Sequence, residues 1–105
     1  MANICENKFL IACDNEEILE KISNKLEELF SDALDGEIVY EGNAVIEGFF
    51  DSRWCFPDEI FDDFFDEFED GTIYMRCLSE EYGCGYVAMN IYRDGEWRES
   101  QTFDL

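Results

Sequence analysis

The sequence contains no histidine, one proline, and seven lysines and arginines against 27 aspartates and glutamates, which gives a net charge of −20. Without histidine, histidine-dependent catalysis and histidine metal ligation are excluded. No run of about 20 apolar residues is present, so we expect no membrane-spanning helix. The segment Met1–Glu6 has no basic flank followed by an apolar core, so we expect no signal peptide and a cytoplasmic location.

The negative charge argues against direct binding of nucleic acid, because a second polyanion would be repelled. Solubility alone needs a net charge of only about 2–8 in a small domain. Residues 26–75 hold 16 acids and one base, Arg53 (net −15), whereas the other 55 residues hold 11 acids and 6 bases (net −5). This concentration favours an acidic surface that meets a basic partner. The alternative is an acidic surface that only solubilises the protein.

The 105 residues are 47% hydrophobic and 16% aromatic, which predicts one packed domain over residues 1–105. Apolar periodicity predicts strands at 7–13, 37–41, 44–50, 72–78, 85–92 and 97–103. A first helix begins at Asp14-Asn15, with Asp14 and Glu17 in a capping-box spacing, and ends at Asp35-Gly36. A second helix spans about 57–70, with Pro57 in its first turn and Gly71 after its end. Gly42-Asn43 and Asp94-Gly95 are expected hairpin turns.

The order β-α-β-β-α-β-β-β predicts an α+β fold of the ferredoxin-like type, an antiparallel sheet with both helices on one face. Two aromatic residues that precede the second helix, Trp54 and Phe56, are expected in the core or in a lid over it. Trp97 is expected to pack on the sheet, and an exposed Trp97 would indicate a dimer contact. Nothing in the pattern chooses between a monomer and a homodimer.

The second predicted helix separates two kinds of side chain. At 100° per residue its apolar residues span an arc of about 140° and its acids fill the opposite 180° or so. The apolar residues are Ile60, Phe61, Phe64, Phe65 and Phe68, and the acids are Asp58, Glu59, Asp62, Asp63, Asp66, Glu67, Glu69 and Asp70. Eight carboxylates over about 20 Å give one charge per about 2.4 Å, comparable with about 1.7 Å for duplex DNA.

Several of these acids are like-charge neighbours at i,i+4, and four oppose the negative end of the helix dipole. No base lies between Arg53 and Arg76 to relieve them. We therefore expect the eight acids to form a partner-binding surface, together with Glu80 and Glu81 in a predicted turn at 80–83. An ordinary solvated helix face is the alternative. The acids Glu16, Glu17 and Glu20 of the first helix are further candidates, more simply interpreted as solvated.

The five cysteines include no CxxC pair, and their odd number argues against a disulfide framework. They are expected to be small, mostly buried side chains in a reducing compartment. Zinc at Cys77 and Cys84 would need two further ligands without histidine. No sequence feature marks a nucleophile or a substrate pocket, so we expect neither an enzyme nor a cofactor.

The stretch Phe49-Phe50-Asp51-Ser52-Arg53-Trp54-Cys55-Phe56-Pro57, the acidic-aromatic helix after it, and Tyr74 onward into Glu80-Glu81-Tyr82-Gly83-Cys84-Gly85 resemble the YubB-type ferredoxin-like domain of phage and plasmid proteins. The resemblance covers roughly the C-terminal half. Where that family usually has a proline in the segment that ends the second helix, this sequence reads Phe68-Glu69-Asp70-Gly71. The resemblance implies the fold and a mobile-element origin, and it assigns no catalytic residue.

Small acidic proteins of mobile elements include inhibitors of host nucleases and CRISPR complexes, and this chain is similar to them in size and charge. We therefore expect an inhibitor of a host defence nucleoprotein complex, an anti-CRISPR protein, that blocks a basic DNA- or RNA-binding groove by polyanion mimicry. The alternative is an acidic interaction module without inhibitory function, whose charge serves solubility.

Overall fold

The computed structural model describes residues 4–81, 83 and 85–104. The predicted order β-α-β-β-α-β-β-β is confirmed. The strands are β1 (Ile4–Ala12), β2 (Asp35–Gly42), β3 (Val45–Arg53), β4 (Tyr74–Glu81), β5 (Tyr86–Arg93) and β6 (Glu96–Asp104), and the helices are α1 (Glu16–Asp32) and α2 (Asp58–Asp66). No helix in the described ranges has the length and apolarity needed to cross a membrane.

The six strands form one antiparallel sheet in the order β2-β3-β1-β4-β5-β6. The α+β class and the antiparallel sheet are thus confirmed. The sheet has six strands, whereas a ferredoxin-like β-α-β-β-α-β unit has four. The hairpin β5–β6 supplies the two additional strands at the β4 edge.

Both helices pack against the same face of the sheet. Side chains that alternate along the three central strands point into this layer, as the two-residue period of a strand requires. The buried cluster joins sheet residues to Ile22 and Leu26 of α1 and to three phenylalanines of α2. The sheet contributes Phe9, Ile11, Ile46, Phe50, Met75 and Cys77. The opposite face, which we call the open face, is exposed to solvent.

The start of α1 and the first hairpin turn differ from the predictions, whereas the last hairpin turn agrees with them. Asn15 rather than Asp14 caps α1, since its side-chain oxygen accepts hydrogen bonds from the N–H groups of Glu17 (3.0 Å) and Ile18 (3.2 Å). The β2–β3 turn is Asn43-Ala44, one residue later than predicted, and both residues have positive φ. Asp94-Gly95 has positive φ at both positions, as predicted for a type I′ hairpin.

Gly36 was predicted to end the first helix, but it lies in β2. α1 ends at Asp32, and the chain passes directly into the edge strand. A Cβ at Gly36 would lie 2.7 Å from the Phe50 Cβ and 2.8 Å from the Phe30 ring. Glycine is therefore required here for close packing of the strand under α1, not for a helix stop.

A polar network is buried where β1 pairs with β3 and β4. The Asn7 amide donates to the Phe50 carbonyl (3.1 Å), the Cys5 carbonyl (3.2 Å) and the Ser52 hydroxyl (2.9 Å), and its oxygen accepts from the Ser79 hydroxyl (2.6 Å). Asn7 is 1% exposed. Because its donors and acceptor all have partners, its burial is tolerated and ties three strands together.

Asn7→Asp tests this network without a change in volume. A carboxylate would face two carbonyl oxygens in a buried site, so we expect the free energy of unfolding to fall by about 3 kcal/mol. Urea unfolding followed by tryptophan fluorescence measures the loss. The exposed Asn24→Asp on α1 is the control and should change stability by less than about 0.5 kcal/mol. Equal effects of the two changes would contradict the assigned role.

Candidate functional site

The acidic helix α2 is held by its phenylalanines. Phe61 and Phe65 are fully buried, and Phe64 is nearly so. The Phe61 ring lies 5.4 Å from the Phe50 ring of β3, and the Phe65 ring stacks on Tyr92 of β5 at 4.5 Å. A nine-residue helix with this charge is unstable alone, so the aromatic contacts to the sheet fix its position.

Seven of the eight predicted acids in this segment are exposed: Asp58, Glu59, Asp62, Asp63, Asp66, Glu67 and Glu69. The structure therefore brings these residues together on one surface, as predicted. The helix itself is shorter than predicted and ends at Asp66 instead of residue 70, while Pro57 precedes the helix at its N-cap position. Glu67, Glu69 and Asp70 lie in the loop that leads to β4.

Lys25 of α1 lies at the C-terminal end of α2, a contact that the sequence did not indicate. Its ammonium donates a 2.9 Å hydrogen bond to the Phe64 carbonyl and lies 3.0 Å from a Glu67 carboxylate oxygen. It also lies over the Phe64 and Phe68 rings, 4.8 Å and 5.4 Å from their centroids. A positive charge at a helix C-terminus is favourable. The like charges of α2 are thus relieved from another helix, not from a neighbour in sequence.

The same contact explains why α2 ends early. A longer helix would direct the Phe68 N–H to the Phe64 carbonyl. Lys25 donates to that carbonyl, and the Phe68 N–H instead bonds to the Phe65 carbonyl at 3.0 Å. The helix ends at this tighter turn, and the chain continues as a loop to β4.

Asp70 has a structural role in addition to its charge. Its carboxylate accepts hydrogen bonds from the Thr72 N–H (2.7 Å) and hydroxyl (2.6 Å), and these bonds lower the pKa of Asp70. The Thr72 hydroxyl in turn accepts from the Asp14 N–H at 3.1 Å. Asp70 therefore joins the end of the acidic segment to the beginning of α1, and it is only partly available to a partner.

The two candidates from the predicted turn at 80–83 do not belong to this surface. Glu80 and Glu81 both lie in β4, and Glu80 points to the open face. Glu81 is 3% exposed and accepts a 2.7 Å hydrogen bond from the Gly83 N–H, so it is not available as a surface contact. The side chains of β4 alternate between the two faces of the sheet through residue 81, and this alternation directs the Glu81 side chain to the buried face. Tyr82 lies outside the described residues.

The acids of α1 add to the acidic surface. Glu16, Glu17 and Glu20 are exposed, and α1 and the 58–70 segment together carry 14 acids and 2 bases, a net charge of −12. One of those two bases is Lys25. We call the exposed side of α1 and residues 58–70 the helical layer. It is the most acidic surface in the described part of the chain.

Five of the seven bases instead lie on the open face. They are Lys8, Arg53, Arg76, Arg93 and Arg98, placed there by the register of the strands. Seven acids share that face, namely Glu6, Asp35, Glu37, Glu47, Asp51, Glu80 and Glu96, so its net charge is −2. The molecule is therefore strongly acidic on one side and nearly neutral on the other.

Three of the four described cysteines lie in the core. Cys5, Cys13 and Cys77 are buried. Burial raises the pKa of Cys5 to about 11 and that of Cys77 to about 12, so both thiols stay neutral at physiological pH. Cys55 is exposed, unlike the buried position expected of most cysteines. Among the described residues no three potential ligands are arranged to hold a metal ion, and Cys84 lies outside them.

Trp54 is 49% exposed and has φ 69°, contrary to its predicted place in the core or in a lid. Its partner in that prediction, Phe56, is buried and stacks on Phe61. A positive φ is rare for a bulky residue, and here it turns the chain from β3 toward α2 while leaving the indole outside. Trp97 packs on Phe56, Phe65 and Tyr92, which confirms its predicted place on the sheet.

Comparisons of the chain with protein-family models, curated proteins and solved structures found no match.

Lys25→Met removes the cation at the end of α2 while keeping an apolar stem. The lost hydrogen bond and ring contacts should lower the free energy of unfolding by about 2 kcal/mol, measured by urea unfolding. Lys21→Met, one turn earlier on α1 and exposed, is the matched control and should change stability by less than about 0.5 kcal/mol. An equal loss in both variants would show that the charge, and not the position, is what matters.

Thiol labelling separates the cysteines. Iodoacetamide at pH 8 should modify Cys55 in the native protein, while Cys5, Cys13 and Cys77 should react only after unfolding, because burial keeps all three inaccessible and raises the pKa of Cys5 and Cys77. Peptide mass spectrometry over a time course reports each site. Rapid native labelling of Cys5 or Cys77 would contradict their placement in the core.

Proposed function

We propose that this protein inhibits a host defence complex by occupying a basic groove that normally holds DNA or RNA. One observation carries the proposal, namely the separation of charge. The helical layer has a net charge of −12 and the open face −2. Solubility alone requires a net charge of only about 2–8 in a small domain. It also does not require the charge to be concentrated on one side of the molecule.

The spacing of the carboxylates supports mimicry of a phosphate backbone. α2 has five acids in nine residues, Asp58, Glu59, Asp62, Asp63 and Asp66, or about one per 2.7 Å of helix. Duplex DNA carries about one charge per 1.7 Å. Arginine binds carboxylate and phosphate with the same planar, bidentate geometry. A channel lined with arginine and lysine would therefore accept this helix in place of nucleic acid.

The rigidity of the acidic segment supports the same proposal. The phenylalanines of α2 fix the helix to the sheet, and Lys25 of α1 contacts the Phe64 carbonyl and the Glu67 carboxylate at its C-terminal end. The carboxylates on the outer side keep a defined spacing before any partner arrives. A preorganised array binds with less loss of conformational entropy than a disordered acidic tail.

Within this proposal the target is a CRISPR effector complex and the protein an anti-CRISPR inhibitor of mobile-element origin. The resemblance of residues 49–57 and 74–85 to the YubB-type domain supports that origin. We further propose that β1–β4 form a ferredoxin-like unit, to which the β5–β6 hairpin has been added. Its support is the order β2-β3-β1-β4 with both helices on one face.

The test is competition by charge-reversed variants. Asp62→Lys, Asp63→Lys and Asp66→Lys combined should weaken competition with target DNA for purified CRISPR effectors by at least 100-fold, because attraction becomes repulsion. Fluorescence anisotropy with labelled DNA measures the displacement. Glu67 and Asp70 are left intact, since their contacts to Lys25 and Thr72 support the fold.

The matched control reverses three exposed acids of the open face, Glu37→Lys, Glu47→Lys and Glu96→Lys, which lie on the side of the sheet opposite the helical layer. It changes net charge by the same amount, so a general effect of charge would weaken both triple variants alike. Circular dichroism establishes that each is folded. Unchanged competition by the folded α2 variant would refute the proposed interface, and the solubilising interpretation of the charge would then stand.

A further inference from the structure

The open face carries a pattern of charge that the proposed function does not use. On it, one cross-strand row contains four acids from adjacent strands, Asp35, Asp51, Glu6 and Glu80. We call these four residues the acid row. Like charges directly opposite each other in a sheet are destabilising. Lys8 and Arg53 lie in the two neighbouring rows of the same face and offset part of this charge, so this end of the face remains net acidic.

Three arginines occupy the diagonally opposite corner. Arg76, Arg93 and Arg98 lie on β4, β5 and β6 and point to the same face. The guanidinium of Arg93 lies over the Tyr74 ring at 5.3 Å, and Arg98 is 3.7 Å from Glu96. Within the described residues Arg76 makes no ion pair. We call these three residues the arginine cluster.

Apolar side chains lie between the two charged groups. The row between them contains Phe49, Leu78 and Met89 together with Lys8 and Glu37, and Leu10 and Ile91 flank Arg76 in the row of the arginine cluster. Phe49 is 45% exposed, and the four other apolar side chains are half-buried. Apart from Lys8, the centre of the open face is therefore apolar, with net negative charge toward one end and net positive charge toward the other, a pattern that suits a protein interface.

We propose that the open face binds the open face of a second copy of this chain. The centres of the acid row and the arginine cluster are about two and a half strands apart across the sheet and about five residues apart along it, or roughly 12 Å by 16 Å. A twofold axis in the interface, perpendicular to the line that joins them, places the acid row of each copy on the arginine cluster of the other. The axis then passes over Leu78, beside Lys8.

The geometry of this pairing agrees with known sheet packing. Because the two separations are similar, the strands of the two sheets cross at an angle closer to the orthogonal than to the aligned arrangement of packed sheets. Six strands about 4.8 Å apart and about 24 Å long present roughly 700 Å² per copy. A stable interface buries about 800 Å² per partner. The charge that opposes association lies on the helical layers, which face away from the contact.

The dimer is independent of the proposed inhibition. It leaves both helical layers exposed on opposite sides, so a dimer could present two acidic surfaces. Loss of the dimer need not abolish competition for a basic groove, and loss of the acidic helix need not abolish the dimer. The two proposals can therefore fail separately.

Sedimentation equilibrium of the full chain, compared with charge-swapped variants, tests the proposal. The wild-type chain should dimerise, and Arg76→Glu with Arg98→Glu should weaken its dimer by at least tenfold, because both ends of the face become acidic. Glu6→Lys with Asp51→Lys should do the same by making both ends basic. An equimolar mixture of these two double variants should restore the dimer, as a heterodimer.

Leu78→Glu, at the proposed axis, should also abolish the dimer, whereas Asp62→Lys with Asp63→Lys on α2 should leave it intact. Circular dichroism establishes that each variant is folded. A monomeric wild-type chain would overturn the proposal and direct the open face to a different partner. A dimer that none of the open-face variants weakens would overturn it equally, as would failure of the mixed variants to associate.

Discussion

Repulsion among 27 carboxylates is the constraint on which the rest of this structure depends. A compact state with net charge −20 is destabilised by its own field. An aromatic core between the helices and the sheet offsets this destabilisation. In this core, rings from α2 contact rings from β3, from β5 and from the segment before α2. The helix with the densest charge is therefore also the helix with the densest aromatic contacts. Its position is fixed by Phe61, Phe64 and Phe65, and its C-terminal end by Lys25.

The distribution of charge between the two sides follows from the strand register. Arginines at alternate positions of β4 and β5 and a lysine in β1 fall on the open face, while Lys21 and Lys25 are the bases of the helices. The acidic helical layer therefore has few positive charges of its own to offset its carboxylates. The open face, nearly neutral, can approach another protein without the full repulsion of the chain. One molecule thereby offers two surfaces with different chemistry, and the proposed inhibition uses only the first.

Much of this architecture could be predicted from the sequence, because it depends on local periodicity. The Phe61, Phe64, Phe65 stripe identified the buried side of α2, and Asp94-Gly95 identified a hairpin. The errors arose where tertiary contacts decide the outcome. Lys25 acts on α2 from another helix and ends it early, and continuation of β4 buries Glu81. The backbone conformation of Trp54 turns its indole to solvent, which no periodicity indicates.

Capture from a CRISPR-bearing host lysate is the most direct measurement of the central claim, that the helical layer replaces nucleic acid on a basic surface. The tagged chain is incubated with lysate at low and at high salt, with and without competing DNA. The account predicts that a nuclease or effector subunit is retained at low salt, lost at high salt and displaced by DNA, because screened carboxylates lose their attraction. A partner retained equally at both salts and in the presence of DNA, or no basic partner at either salt, would contradict it.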